Sequence, residues 1–278
     1  GARYYDFEET RDFVSGGLFS NGDTNLGDET SSNGISPRLI ATWEPSRNLS
    51  VNVEAPKGFR LGGVNDPLNL PLCDDGVPDG PDARTFGGFP TYDDETLWNY
   101  EAGVKYQKRG VTFNAAVFHT RIKDLQVTAD AGSCSSRVVF NVDKAHTTGV
   151  EMEVAASPLP GLDVSLAGSY VNAEFDSTLM SEDDPLTPQN DSFVIAGIRE
   201  GNRLPSVPKF QMAAAVTYGQ RFGDNGDWYV NASLQHIGSR FTQPADQEPG
   251  AGVFAHGLPV LGMDGSEVTD MSLKLPAY

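Results

Sequence analysis

The chain has 278 residues, with 20 basic and 38 acidic side chains and a formal net charge of −18. That balance excludes a nucleic-acid binder, because nothing in it would neutralise a run of phosphates. Hydrophobic residues at 38% and aromatics at 10% are too many for a disordered acidic chain, and no apolar run reaches the ~18 residues of a membrane helix.

Helical periodicity is nearly absent and period-2 alternation is widespread. In chain order the predicted strands are 1–9, 35–44, 48–57, 96–107, 111–128, 145–157, 161–175, 208–221 and 227–238, with a tenth beginning near Pro276. Leu49, Val51, Val53 and Ala55 share one face against Ser50, Asn52 and Glu54. Phe210, Met212, Ala214, Val216 and Tyr218 do the same, as do Trp228, Val230, Ala232 and Leu234. Most of these strands are longer than the ~5–6 residues usual in globular sheets.

The connections alternate short and long. Residues 44–48, 108–110, 157–161 and 222–227 are tight turns rich in Pro, Gly and Asn. The segments 10–34, 58–95, 129–144, 176–207 and 239–275 read as long loops, unusual within a compact soluble domain. Short turns at one end and long loops at the other, on strands of about 9–11 residues, describe an all-β, antiparallel, up-and-down transmembrane β-barrel. Trp43, Tyr106, Tyr218, Phe222, Trp228 and Tyr229 cluster beside the turns, with Trp98 and Tyr100 near the other end of their strand. Such rings suit the headgroup level of a bilayer. Glu54, Glu101, Lys105, Glu151 and Glu153 would then face a wet lumen, and Val51, Val53, Met152, Val154 and Val230 the lipid. The alternatives are a secreted β-sandwich or adhesin-like binding module, in which the apolar residues pack against a second sheet, and a passive porin-type barrel.

Cys73 and Cys134 both lie in polar loop sequence. They read as one disulfide formed outside the cytoplasm, against the alternative of two unrelated free thiols.

An ordered set of motifs resembles the TonB-dependent outer-membrane receptors. Val53–Asn65 carries Lys57-Gly-Phe-Arg60 followed by Gly62-Gly63, and 95–105 carries Glu95, Glu101, Gly103 and Lys105 at the family's spacing. Residues 115–127 hold Phe118, Asp124 and Gln126, and 141–153 hold Asn141, Lys144-Ala145, Gly149, Glu151 and Glu153. Ser36-Pro-Arg-Leu39, Arg203–Lys209 and Leu275–Tyr278 also fall where that family places similar segments. The resemblance implies about 9–10 strands of a 22-stranded barrel, with residues 1–278 as a single partial barrel domain, truncated at both ends and lacking the plug domain and the last strands. It implies uptake of a scarce nutrient such as a ferric siderophore, vitamin or saccharide, in the bacterial outer membrane. The expected partners are outer-membrane lipid and lipopolysaccharide, a small-molecule ligand, and TonB only through an N-terminal part outside this chain.

Enzymatic sites are not expected. Ser206-Val-Pro-Lys209 matches S-x-x-K but opens a strand rather than a helix. His119, His146, His236 and His256 are scattered without metal-ligand spacing. The acidic 73–82 loop places Asp75, Asp79 and Gly80 on a calcium-loop template, but Val77 and Phe86 stand where ligands belong. No metal and no cofactor is expected. Ligand contacts should come from the loops. Phe59, Arg60, Asn65, Arg84, Phe86, Phe89, Tyr92 and Arg137 offer an aromatic wall with a few cationic donors, suited to an anionic chelate or a planar organic ligand.

Overall fold

The computed structural model describes residues 1–15, 24–66, 89–130, 137–181, 192–223 and 226–249, with four short stretches between 253 and 274. Nine long strands form one antiparallel sheet. They are β1 (Ala2–Ser15), β2 (Thr24–Ser46), β3 (Leu49–Arg60), β6 (Glu95–Lys108), β7 (Val111–Asp130), β8 (Arg137–Leu159), β9 (Leu162–Phe175), β10 (Phe210–Phe222) and β11 (Gly226–Ile237), each beside its chain neighbour. Two short strands, β4 (Gly63–Val64) and β5 (Thr91–Tyr92), pair with each other between β3 and β6. The tight turns are where the alternation ends. Arg109 and Gly110 both adopt positive φ, the conformation a two-residue hairpin turn requires. Gly161 has φ +79° and lies against the Gly219 carbonyl, where a side chain would collide.

Several strands outrun their expected lengths. Residues 10–15 and 24–34, read as loop, extend the β1–β2 hairpin, and β8 begins at Arg137 rather than near 145. The expected strand near Pro276 lies outside the described residues.

Register arranges the two faces as rows. One row runs Ala41, Val53, Ala102, Val117, Val150 and Tyr170; the next toward the turns runs Trp43, Val51, Val104, Ala115 and Met152. Val53 is 53% exposed, Val117 55% and Leu234 61%. Among the described residues no second sheet covers this face, so the sandwich alternative fails. The opposite face forms the hollow of the curved sheet, lined by Asn52, Glu101, Lys105, Asn114, Glu151 and Glu153. A broad bare apolar band outside and a polar hollow inside are the two faces of a membrane barrel wall. Aromatics bound the band. Tyr218 meets Trp228 edge-on at 5.7 Å near the turn, and Phe210 sits eight residues up the same strand, roughly 26 Å along it.

The buried core lies at the loop end instead. Val138, Phe140 and Ile195 form one cluster, and Val127, Val142, Phe175 and Ile198 another.

The two faces make a test. In the full-length protein, Val117→Arg costs about 2–4 kcal/mol, whereas Ser169→Arg on the hollow face costs far less. Urea unfolding in lipid vesicles measures both.

Candidate functional site

At the loop end the β2–β3 ladder stops at Arg38 and Pro56, and the chain between β3 and β6 forms a strap. The strap comprises residues 61–66 and 89–94, joined through β4 and β5. Gly62 to Asn65 are all buried. Gly62 stands so close to the Tyr92 carbonyl that a side chain there would collide with backbone. One end is held by β1, where Arg11 donates to the Val64 carbonyl at 2.8 Å and pairs with Asp66 at 3.2 Å. The other end is held by β8. Asn65 donates to the Val139 carbonyl at 2.9 Å and accepts from the Val139 N–H at 2.9 Å, while also donating to Phe89 O at 2.8 Å.

A second network joins the motif residues of four strands. Arg60 pairs with Glu95 at 2.7 Å and donates to Gln126 O at 2.7 Å. The Glu95 carboxylate accepts from the Gln126 N–H at 2.9 Å. Gln126 donates to Leu61 O and Asp93 O, and Asn141 to Asp93 O and Asp124 O. Asp124 is a non-glycine residue at φ +55°, a conformation with an energetic cost that the Asn141 bond to its carbonyl helps to hold. The turn there shifts the alternation. Ala145 and Val142, three residues apart, are both buried, and Val142 packs in the cluster of Phe175, the register partner of Ala145.

Against the strap, β1 presents a stack of cation and rings. Phe59 and Tyr5 stack at 3.7 Å with 15° between planes, and the Arg3 guanidinium lies 5.9 Å over Phe59. Asp94 ties this stack to the strap by accepting from Tyr5 Oη, Ser32 Oγ and the Gly62 N–H. Burial, then the Asp94 charge, raises the Tyr5 phenol above its ordinary range, so Tyr5 stays protonated and donates. Arg3 has no carboxylate partner among the described residues.

Across the mouth, residues 192–204 pack on β8 and β9 and engage 241–248. Arg199 reaches Glu248 at 3.0 Å, and Asn202 donates to the same carboxylate at 3.1 Å. Arg203 exchanges bonds with Gln247 and lies 5.3 Å over Phe241.

The expected site residues thus have different settings. Phe59 is in the aromatic stack, Arg60 in the four-strand network, and Asn65 in the strap's tie to β8. Phe89 packs edge-on against Phe140 at 4.7 Å, and Tyr92 lies opposite Gly63. Arg137 opens β8 with an exposed side chain. Arg84, Phe86, Cys73, Cys134 and the 73–82 loop lie outside the described residues. Sequence reasoning missed Arg3 and Tyr5. Their signal was the alternation Arg3, Tyr5, Phe7 on one face of the first strand.

The model of the TonB-dependent receptor-like β-barrel matches residues 1–278. The chain belongs to the TonB-dependent receptor family. Its relatives include the pesticin receptors of Yersinia enterocolitica and Yersinia pestis, each 32% identical over 193 residues, covering 69% of this chain and 24% of theirs. The chain therefore spans about a quarter of those relatives' length. Among solved structures, the ferric yersiniabactin uptake receptor FyuA from Yersinia pestis superposes with a TM-score of 0.64 at 21% identity, covering 88% of this chain and 32% of that one. The siderophore receptor PiuA from Acinetobacter baumannii gives 0.52 at 19% identity, with 78% and 28% covered. The fold and the outer-membrane location follow from this membership, in a family of transport receptors.

Two predictions concern the mouth. Asn65→Ala leaves the half-buried Val139 N–H and C=O without their partner and costs about 1–3 kcal/mol, read as lost amide-exchange protection of 61–66 and 137–140. The hydrogen bond from Arg199 holds the Glu248 carboxyl below the ordinary carboxylate range. A depressed folded value gives stability that is present above the unfolded value and lost as pH falls through the folded one. Exchange protection of 192–204 therefore drops as the pH is lowered through and below the ordinary carboxylate range, and Arg199→Ala removes most of that dependence.

Proposed function

We propose that the intact receptor imports a ferric siderophore, or a similarly anionic iron chelate, by TonB-coupled uptake. The observation that carries this reading is the Arg3–Phe59–Tyr5 stack beside the strap. It offers a guanidinium without a carboxylate partner among the described residues, next to flat aromatic surface. A guanidinium binds anionic oxygens directionally, and rings accept planar ligand groups. The chain's net charge of −18 makes such a local cation the place where an anion is least repelled. The solved neighbours described as a ferric yersiniabactin uptake receptor and as a siderophore receptor support the same class of cargo.

In this reading the loops capture the chelate outside, and a plug domain within the lumen yields to TonB. Glu54 lies directly opposite Glu101 on the lumen wall and is met by Arg38 at 2.8 Å. Glu101, Glu151 and Glu153 have no cationic partner among the described residues. Water or basic groups of a plug would meet them. Phe59, Arg3 and Tyr5 are the contacts favoured for the ligand, while Arg60 and Asn65 hold the mouth that presents them.

Growth under iron limitation tests the reading. A deletion strain complemented with the intact receptor should grow on at least one ferric siderophore from a panel, and failure on all of them overturns the proposal. With the active chelate, Arg3→Gln should weaken binding about 10- to 100-fold, and Gln220→Ala at the turn end should leave it unchanged.

A further inference from the structure

The seat of Phe59 is built by side chains. Past Arg38 and Pro56 the β2–β3 ladder has ended, so the backbone at Phe59 pairs toward β6, opposite Thr96, and not toward β2. Its ring nonetheless lies flat on Tyr5 of β1, and β1 is on the far side of β2. Two strand spacings, about 10 Å, separate those backbones. The gap is closed over Gly34, the register partner of Tyr5 on β2. A Cβ at Gly34 would stand 2.6 Å from Tyr5 Oη and 2.8 Å from its Cζ, so the phenol lies directly over the glycine. One face of the Tyr5 ring meets β2 and the other meets Phe59, which leaves its edge to a ligand.

Further contacts fix this seat. Ser36 Oγ donates to the Lys57 carbonyl, reaching from β2 to the backbone two residues before the ring. Asp94 Oδ1 accepts from the Gly62 N–H at 2.7 Å, three residues after it. Asp94 Oδ2 accepts from Tyr5 Oη at 3.3 Å and from Ser32 Oγ. Asp94 enters no ion pair among the described residues, and its partners there are these three neutral donors. A carboxylate is acceptor-only and serves all three, whereas a carboxamide would turn its own donors toward one side.

We propose that Gly34 and Asp94 are positioning residues for ligand recognition. Gly34 sets the height of the Tyr5 ring, Asp94 holds its hydroxyl, and together they fix the Phe59 ring beside Arg3. This rests on the reading that the stack meets an anionic iron chelate. A ring fixed in advance loses little conformational freedom when a ligand binds. The 5.9 Å between the Arg3 guanidinium and the Phe59 ring then selects chelates whose anionic and flat groups match that spacing. A side chain at 34 must lift the phenol, and the phenol cannot rise without pushing Phe59, 3.7 Å away.

The test uses the intact receptor in detergent with 4-fluorophenylalanine at position 59. Fluorine NMR reads the ring without added chelate. Retention is then measured with the ferric complexes of a catecholate, a hydroxamate and a phenolate siderophore. Gly34→Ala and Asp94→Asn should each move the fluorine resonance and weaken retention of a chelate that binds by about 10-fold. In a Tyr5→Ala background nothing lies over residue 34, so Gly34→Ala should add no further change, a pattern that general destabilisation does not give. Asp94→Asn and Tyr5→Phe should be non-additive in retention, and this pair decides if Gly34→Ala does not fold. An unmoved resonance, undiminished retention or additive effects overturn this proposal and leave the cargo reading standing. Retention of none of the three chelates by the unaltered receptor instead removes the cargo reading, and this role with it.

Discussion

A bilayer interior offers no water to backbone N–H and C=O groups, so each must find its partner within the protein. That requirement shapes the nine-stranded sheet. Every long strand bonds to its chain neighbour over most of its length, and strand length follows from the thickness to be crossed. With the backbone paired between neighbouring strands, and only the outer edges of β1 and β11 left open among the described residues, the side chains need only suit what each face meets. Valine, alanine and leucine face lipid; asparagine, glutamate and lysine face the hollow. Even Glu54 opposite Glu101 is tolerable, because water and Arg38 reach that face.

Above the membrane the requirement lapses and the construction changes. Water can solvate exposed backbone, so the β2–β3 ladder can stop at Arg38 and Pro56 and the chain beyond β3 can leave the sheet as the strap. The Asp124 turn breaks the strict alternation, and buried positions on β8 go from Ala145 to Val142, then to Phe140 and Val138. A small hydrophobic core forms from those residues and 192–204, giving the mouth a rigidity that lipid-facing wall does not need. The stack of Arg3, Phe59 and Tyr5 stands on this part of the molecule.

The membrane-spanning part was legible in the sequence because the two faces meet opposite solvents. Residues 49–55, 210–218 and 228–235 alternate cleanly, and the structure places them as read. Residues 24–34 were not legible as strand, since the segment is almost wholly polar and no apolar stripe marks it. Residues 137–144 were hidden by the shift at Asp124, which destroys period 2 at the point where β8 continues. The family motifs were visible, but the sequence did not disclose that Arg60, Glu95, Gln126 and Asn141 bond to one another or through shared backbone. That requires knowing the register of four strands. Arg3 and Tyr5 could have been found from alternation alone; what could not be read was that Phe59 comes to lie against them.

The strap carries a mechanical implication. Val64 and Asn65 are adjacent in the chain, yet one is held by β1 and the other by β8, strands separated in the sheet by β2, β3, β6 and β7. A single peptide link thus acts as a chord across an arc of wall, and the arc cannot widen there without tearing hydrogen bonds at one anchor. The wall at this level is therefore held at a fixed span rather than as a breathing rim.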